Sequence, residues 1–309
     1  MDDVLVLWDI DGTLLNADGV GRDLYDAVFL QLFGRSLSAY APMAGRTDRA
    51  IILETLSLAG VDEPRRYVDP FIAGLVEHAS SVRSAVADRG HALPGAAAVL
   101  ATLAAARTRG SLAEPATAQP VAAPALAASL LSAPPPTARA AVPVMAADPA
   151  GGASGTGSAS GSDGASGSDG ASGSDGASGA EAVRIYQSVL TGNVRSVAEV
   201  KLAALGLREW LDLCIGAYGD DHEDRTELVH VARRRAAAVH GRSAAAFGGT
   251  ATVVIGDSPL DISAALAAGA RAVGVATGSH SADDLAMAGA DAVLSDLTDT
   301  AVVLRALLP

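Results

Sequence analysis

Acidic and hydroxyl side chains follow three short apolar runs of the sequence, at the positions where buried strands would end. Asp9 and Asp11 come directly after the first run, residues 4–8. The runs that end at 190 and 255 are followed by Thr191, Gly192, Asn193, Asp257 and Asp261. Carboxylates can attack an electrophile, transfer protons or bind a hard cation. Because the carboxyl ends of parallel strands meet at one edge of an open sheet, we expect these residues to converge on one site.

Apolar runs alternate with amphipathic stretches along most of the chain. This alternation predicts an α/β fold, a Rossmann-like parallel sheet covered by helices on both faces. The predicted strands are 4–8, 185–190, 211–217, 252–255 and 272–276. The predicted helices of this part are 94–107, 196–205, 224–240 and 259–268. Residues 16–91 break the alternation with predicted helices at 21–33, 47–59 and 66–87, which we interpret as a helical cap inserted after the first strand.

The stretch 111–180 differs in composition from the rest. Residues 111–150 hold 8 of the 14 prolines, and residues 151–180 hold 11 of the 33 glycines in a repeating Gly-Ser-Asp-Gly-Ala-Ser unit. Such a segment buries too little apolar surface to offset its ordering entropy, which predicts a disordered insertion. The predicted domains are therefore a core (1–15, 92–110 and 181–309), a cap (16–91) and this insertion. We expect the insertion at the amino-end edge of the sheet, since it precedes the second strand.

The motifs at the predicted strand ends resemble those of the haloacid dehalogenase-like hydrolase superfamily. The closest likeness is to its phosphatases with a helical C1-type cap, such as phosphoglycolate phosphatase. The matching residues, in the family's order, are Asp9-Ile10-Asp11-Gly12-Thr13-Leu14, Thr191-Gly192-Asn193, Lys201 and Gly256-Asp257-Ser258-Pro259-Leu260-Asp261. The resemblance covers all of the chain outside the insertion.

The resemblance implies roles for the residues of the first two motifs. Asp9 is the implied nucleophile, which forms an aspartyl-phosphate. Asp11 is the implied acid that protonates the leaving oxygen and the base that then activates water, and Gly12 would permit the tight backbone that brings Asp11 over the site. Thr191, with Gly192 and Asn193, is implied to bind phosphate oxygens.

The remaining motifs imply positive charge at the same site. Mg²⁺ is the implied cofactor, held by Asp9, Asp257 and the backbone carbonyl of Asp11. Asp261 is implied to support the metal or to orient Lys201. Lys201 is the only lysine of the chain, and it occupies the family's lysine position. Two like unit charges about 4 Å apart repel by about 4 kcal/mol at an effective dielectric of 20, so an ammonium and Mg²⁺ would allow a carboxylate to approach a phosphate.

Other charged groups of the sequence have weaker functional interpretations. Arg46, in the segment Gly45-Arg46-Thr47-Asp48, resembles a substrate-contacting residue of related phosphatases, although Thr47 or Asp48 could simply cap a helix. The acidic run 220–224 could bind a metal, but charge at the start of a helix is the preferred interpretation. The arginines at 233–235 are interpreted as a solvated helix face.

Composition excludes several classes of function. The net charge of −13 and the sequence pI of about 4.8 disfavour nucleic acid as a partner. No apolar stretch is long enough to predict a membrane span. The single cysteine, Cys214, cannot form an internal disulfide and is predicted to be a small core residue. The start Met-Asp-Asp lacks the basic region of a signal peptide, so we expect a cytoplasmic protein.

The sequence thus predicts a Mg²⁺-dependent phosphatase acting on a small phosphorylated metabolite, of which phosphoglycolate is one example. The alternatives are a sugar phosphomutase, a haloacid dehalogenase and a catalytically silent scaffold or binding protein. Asp11 disfavours the dehalogenase, because release of a halide needs no acid and dehalogenases of the superfamily lack this residue. A phosphonatase would use a cap lysine, and residues 16–91 contain none.

Overall fold

A five-stranded parallel sheet forms the centre of the computed structural model, which describes residues 3–109 and 183–308. The predicted insertion at 111–180 lies outside the described residues. Numbered along the chain, the strands of this sheet are β1 (Asp3–Trp8), β4 (Arg184–Val189), β5 (Thr252–Gly256), β6 (Arg271–Val275) and β7 (Ala292–Leu294). Their spatial order is β4-β1-β5-β6-β7, with every neighbouring pair parallel. The predicted α/β sheet is therefore confirmed.

The strand order reverses at β1. The chain passes from β1 to β4 on one side and later returns to β5 on the other side. A crevice forms outside the carboxyl ends of the strands at such a switch point. Asp9 is the first residue after β1, so the fold places it at this crevice.

The sheet is buried on both faces, as predicted. Val6 and Trp8 of β1 belong to one apolar cluster, and Leu5 and Leu7 belong to a second one. The flanking helices are α5 (Ala96–Arg109), α6 (Arg195–Ala204), α7 (Arg225–Val239), α8 (Pro259–Ala267), α9 (Ala282–Met287) and α10 (Thr300–Leu307). Within the described residues, every helix is too short or too polar to cross a bilayer.

The strand predicted at 211–217 is wrong. Its odd-numbered residues are buried, as the alternation of the sequence suggested, but its backbone combines local turns with only a few hydrogen bonds to β4, such as that from the N–H of Asp212 to the carbonyl of Gln187 (3.0 Å). The Asp212 side chain accepts a hydrogen bond from the N–H of Cys214, and the Asp212 carbonyl accepts one from Ile215. Only an isolated bridge between Leu190 and Ala217 extends the sheet here. The turn also leaves Cys214 exposed, contrary to the predicted core position.

A block of helices lies between β1 and α5, as predicted. Its helices are α1 (Val20–Phe33), α2 (Asp48–Leu58), α3 (Val68–His78) and α4 (Arg83–Arg89). The helix predicted at 66–87 is interrupted by a 3₁₀ turn, Ala79–Val82. Two short antiparallel strands, β2 (Leu15–Asn16) and β3 (His91–Ala92), pair where the chain enters and leaves the block. The two ends of the block are therefore adjacent.

Asp48, the first residue of α2, connects the block to the core. Its N–H donates to the carbonyl of Gly192, 2.7 Å away. Its carboxylate accepts hydrogen bonds from the Tyr25 hydroxyl (2.6 Å) and from the N–H of Val194 (2.7 Å). Val194 precedes α6 and makes no side-chain capping bond of its own, so Asp48 satisfies an N-terminal N–H of a core helix. A Cβ at Gly192 would collide with the carbonyl of Arg46, so this approach of the two backbones requires glycine.

The arginine run of α7 is not the uniformly solvated face that was predicted. Arg233 is buried, and its guanidinium donates to the Thr252 hydroxyl and to the carbonyls of Ala268 and Gly249 at 2.8–3.0 Å. Arg234 is exposed. Burial lowers the pKa of Arg233, since its acceptors carry no charge. Arg233 thus ties α7 to the loops around β5.

We expect Arg233→Met to lower the free energy of unfolding by about 2–4 kcal/mol, because buried acceptors lose their donors. Arg234→Met is the matched control and should change it by less than about 0.5 kcal/mol. Urea unfolding followed by circular dichroism measures both. Equal stabilities for the two variants would contradict the structural role of Arg233.

We expect the Asp48 carboxyl to make stability depend on pH. Burial raises its pKa from 3.8 to about 6, so between these values the folded protein binds more protons than the unfolded chain. The contribution of Asp48 is then full below about pH 4 and is lost as the pH rises through about 6. Relative to Asp48→Asn, the wild-type free energy of unfolding should fall by about 1–1.5 kcal/mol between pH 5 and pH 7.5. Parallel pH curves for the two proteins would refute this assignment.

Candidate active site

The register of the sheet brings Asp9 and Asp257 together. Trp8 of β1 is paired with Val189 on one side and with Ile255 on the other, and the N–H of Asp9 donates to the carbonyl of Ile255 (2.8 Å). One carboxylate oxygen from each of Asp9, Asp257 and Asp261 lies within 4.8 Å of the others, and all three residues are buried. Carboxylates separated by about 250 positions in the sequence thus converge, as predicted.

Asp11 lies beside this cluster but faces a different set of partners. Gly12, which follows it, has a φ of 88°, a conformation that glycine adopts without strain. A Cβ at Gly12 would also collide with the Asp257 carboxylate. The predicted need for glycine in this turn is therefore confirmed, and the turn directs the Asp11 side chain toward Asn193 and Lys201.

The segment after β4 contributes a hydroxyl and an amide. Thr191 Oγ1 accepts hydrogen bonds from the backbone N–H (3.2 Å) and the side-chain Nδ2 (2.9 Å) of Asn193. Asn193 Nδ2 also donates to Asp11 Oδ2 at 2.6 Å. In these contacts the Thr191 hydroxyl is only an acceptor, so its proton is available for another oxygen.

Lys201 pairs with Asp11 and not with Asp9. Its Nζ lies 2.8 Å and 2.7 Å from the two carboxylate oxygens of Asp11, and 2.8 Å from Asn193 Oδ1. Lys201 lies on the buried face of α6 with Val197, Ala198 and Leu202. The structure therefore brings Lys201 into the site. It contacts Asp11, whereas the sequence analysis expected its charge to assist the nucleophile, Asp9.

Arg225 is the cation that contacts Asp9, and sequence reasoning missed it. Its Nη2 donates to Asp9 Oδ1 at 2.6 Å, lies 2.5 Å from Asp261 Oδ1, and donates to the Leu190 carbonyl at 3.2 Å. Burial alone would lower the pKa of this guanidinium, but the carboxylates of Asp261 and Asp9 raise it above its usual value. Arg225 is thus charged and neutralises part of the acidic cluster.

The helical spacing of apolar residues in the sequence could have identified Arg225 as a buried residue. It occupies the same helical stripe as Leu228, Val229 and Ala232, all of which are buried. An arginine on the apolar face of a predicted helix requires a buried partner. The acidic cluster supplies that partner.

Asp261 has a structural role that the sequence only partly indicated. Its Oδ2 accepts from the N–H (3.1 Å) and the hydroxyl (2.6 Å) of Ser258, which completes a capping box at the start of α8. Its other oxygen lies against Arg225. Asp261 therefore positions Arg225, and the expectation that it orients Lys201 is wrong.

Without a bound cation, the acidic cluster favours protonated carboxyl groups. Three carboxylates, Asp9, Asp257 and Asp261, meet one guanidinium, that of Arg225. Burial, followed by the charge of Asp261, raises the pKa of Asp9 well above its usual range and that of Asp257 to about 7. A divalent cation would take the place of these protons, since carboxylate oxygens are the ligands that Mg²⁺ prefers. The residues present therefore fit a hard divalent cation.

The cavity above these side chains has a volume of about 660 Å³ and is lined by both the core and the helical block. Arg46 lines it, but its guanidinium is bound by Glu54 (2.6 Å) and by the carbonyls of Pro42 and Ala50. Thr47 is the N-cap of α2, so the simpler interpretation of this segment is correct for Thr47. Asp48 also reaches the cavity wall.

The acidic run 220–224 serves local structure. Asp224 caps α7 by accepting from the N–H of Thr226 (2.8 Å). Asp221 forms an ion pair with Arg235 (2.6 Å), and Asp220 accepts from the N–H of Arg195 (3.0 Å). The preferred interpretation, charge at the start of a helix, is therefore confirmed for Asp224.

Comparisons with known proteins give one family-model match and several similar folds. Residues 228–300 match the sequence model of a family described as HAD-hydrolase-like, where HAD denotes haloacid dehalogenase. The fold is similar to that of a predicted phosphatase from Clostridium acetobutylicum, at 13% identity and a TM-score of 0.53 over 99% of this chain and 100% of that one. It is also similar to a hydrolase from Pseudomonas syringae, at 17% identity and a TM-score of 0.51 over 100% of both chains.

A suggested β-phosphoglucomutase from Bacteroides vulgatus is a further structural relative, at 14% identity and a TM-score of 0.50 over 99% of this chain and 89% of that one. The comparison with curated protein sequences gives no significant match. The chain therefore has the α/β fold of the haloacid dehalogenase-like hydrolases, and its residues 228–300 match that family's sequence model.

Proposed function

We propose that the protein is a Mg²⁺-dependent phosphomonoester hydrolase that uses Asp9 as its nucleophile. The observation that carries this proposal is the convergence of Asp9 and Asp257 at the switch point of the sheet, with Asp11 beside them and a cavity above. A second carboxylate near the nucleophile is what transfer to water requires, because it can act first as an acid and then as a base.

In the first step, an Asp9 oxygen forms a bond to phosphorus while the bond to the leaving oxygen breaks. The electron pair of the broken bond goes to the leaving oxygen, which takes the proton of Asp11 and departs as an alcohol. Arg225 supports the attack by holding Asp9 Oδ1 at 2.6 Å. The Thr191 hydroxyl keeps a proton that it could donate to a phosphate oxygen, whereas both N–H groups of the Asn193 side chain already bind Asp11 and Thr191.

In the second step, water attacks the aspartyl-phosphate and gives a proton to Asp11. The bond between Asp9 and phosphorus breaks, its electron pair returns to the carboxylate, and inorganic phosphate leaves. Asp11 regains the proton that it lost in the first step, so the cycle is balanced. Held by Asp9, Asp257 and the backbone carbonyl of Asp11, Mg²⁺ would supply positive charge against the phosphate.

The substrate that we propose is a small phosphorylated metabolite. A cavity of about 660 Å³ admits a small molecule. Arg46 on its wall could bind a second anionic group of the substrate, such as the carboxylate of phosphoglycolate, if it exchanged Glu54 for that group. The partner of this chain is then a small phosphate ester, and its acidic composition disfavours nucleic acid.

Among the enzymatic alternatives, the presence of Asp11 in the site favours phosphate transfer over dehalogenation. A phosphomutase would use the same nucleophile but return the phosphate to a sugar. Release of inorganic phosphate distinguishes the two, since a mutase retains it.

We expect Asp9→Asn to lower Mg²⁺-dependent phosphate release from an aryl phosphate by about 1,000-fold or more, because an amide is a very poor nucleophile. Asp88→Asn is the matched control: Asp88 is exposed on α4, and its replacement should leave turnover unchanged. Circular dichroism should show both variants folded. Full activity of Asp9→Asn would rule out the proposed nucleophile, and an inactive wild type across a broad phosphoester panel would favour the scaffold alternative.

We expect deletion of residues 111–180 to leave kcat/KM within about threefold of the wild-type value. The chain rejoins the described structure just before β4, whose first residue, Arg184, pairs with Asp3 at the start of β1. This is the amino-end edge of the sheet, opposite to Asp9. A tenfold loss of kcat in a normally folded deletion variant would show that the insertion contributes to catalysis.

A further inference from the structure

Lys201 uses all of its hydrogen-bonding capacity inside the protein. An ammonium group has three N–H donors, and Lys201 Nζ has three acceptors at 2.7–2.8 Å: Asp11 Oδ1, Asp11 Oδ2 and Asn193 Oδ1. A phosphate group would therefore have to displace one of these acceptors before it could bind Lys201.

The different exposure of the Lys201 and Asp11 side chains also indicates that a ligand meets Asp11 first. The side chain of Lys201 is 5% exposed, whereas that of its partner Asp11 is 41% exposed. Both side chains line the cavity, but Lys201 is nearly buried there and Asp11 is the one that is open to a ligand. A group in that position acts on a ligand through Asp11.

Asn193 closes the arrangement into a triangle. Its Oδ1 accepts from Lys201, and its Nδ2 donates to Asp11 Oδ2 (2.6 Å) and to Thr191 Oγ1 (2.9 Å). The ammonium fixes which end of the Asn193 amide faces Asp11, because only the oxygen can accept from Lys201. Removing the ammonium would free both the carboxylate and the amide to reorient.

Arg225 already supplies a positive charge to the nucleophile Asp9, so Lys201 is not needed for that role. The guanidinium contacts Asp9 and Asp261 on the far side of the cluster, while the contacts of Lys201 are with Asp11 and Asn193. The two cations serve two different carboxylates.

The geometry points to Lys201 as a positioning residue for Asp11, which it holds directly and through Asn193, so that the acid–base carboxylate is placed for proton transfer to the leaving oxygen and from water. This inference rests on the proposed function. It assigns Lys201 to the two proton transfers and leaves the charge of the phosphate and of the nucleophile to Arg225 and the metal.

The inference separates the two bond-breaking steps in a measurable way. Formation of the aspartyl-phosphate from 2,4-dinitrophenyl phosphate needs no proton, because dinitrophenolate leaves as a stable anion. Formation from phenyl phosphate needs the Asp11 proton, and hydrolysis of the intermediate needs Asp11 as a base with either substrate. A misplaced Asp11 should therefore leave only the formation of the aspartyl-phosphate from 2,4-dinitrophenyl phosphate unaffected.

The test is stopped-flow release of the phenol, with Lys201→Met compared with Arg225→Met. With dinitrophenyl phosphate, Lys201→Met should give a burst of one equivalent per site within about threefold of the wild-type rate, followed by turnover about 100-fold slower, the usual scale of acid–base catalysis. With phenyl phosphate, Lys201→Met should give no burst, and its turnover should again be about 100-fold slower than that of the wild type. Arg225→Met should lose the burst itself with both substrates.

Lys201→Gln is a second variant that tests the same prediction with a shorter neutral side chain, and thermal unfolding identifies any variant that does not fold. A dinitrophenolate burst slowed as much by Lys201→Met as by Arg225→Met would overturn the inference. In that case, release of phosphate by the wild type would still support the proposed function. Failure of the inference on Lys201 can therefore be distinguished from failure of the proposed function. A wild type with neither a burst nor turnover overturns both.

A double-mutant cycle gives an independent check. If Lys201 acts only through Asp11, then Lys201→Met should change phenyl phosphate turnover by less than about twofold once Asp11→Asn is present. A further loss of about tenfold or more in the double variant would show that Lys201 contacts the phosphate itself, and the inference would fail.

Discussion

The structure depends on three carboxylates held close together in a buried site with a single guanidinium among them. Asp9, Asp257 and Asp261 would repel one another if they were free to move, and burial adds to the cost of their charges. They remain together because each is fixed by backbone that has another purpose: the end of β1, the end of β5 and the cap of α8. The stability of the sheet maintains an arrangement that the acids alone would not adopt.

This arrangement explains why two cations of different kinds are present. The contacts of the Arg225 guanidinium converge on one nitrogen, Nη2, which lies close to two carboxylates and a carbonyl. The ammonium of Lys201 is a compact charge whose three donors are taken up by one carboxylate and one amide oxygen. In a chain that otherwise uses arginine for every basic position, the sole lysine lies where a small, fully bound cation is needed. The site thus has two separate ion-pair systems, one around Asp9 and one around Asp11.

Much of this could be predicted from the sequence, because strand-end residues are fixed by local patterns. The apolar run before Asp9 and the run before Asp257 define parallel strands, and the register of parallel strands brings their ends together. The partners of the cations could not be read in this way, since the distance from Lys201 to Asp11 or from Arg225 to Asp9 depends on how helices pack on the sheet. Arg225 was not singled out at all, and the interpretation of the arginines at 233–235 as a solvated face misplaced Arg233. The strand predicted at 211–217 failed for another reason: alternating burial was real, but local turns at Asp212 interrupt the segment, which makes only a few hydrogen bonds to β4.

The pairing of β2 with β3 has a consequence for how such a protein can change. Leu15 lies opposite Ala92, so the path of the core chain is nearly continuous across the point where the helical block is attached. A block joined through adjacent ends can be lengthened, shortened or exchanged for another without moving the strands on either side. The wall of the cavity can therefore diversify by substitution of a whole module while the buried acids beneath it keep their places.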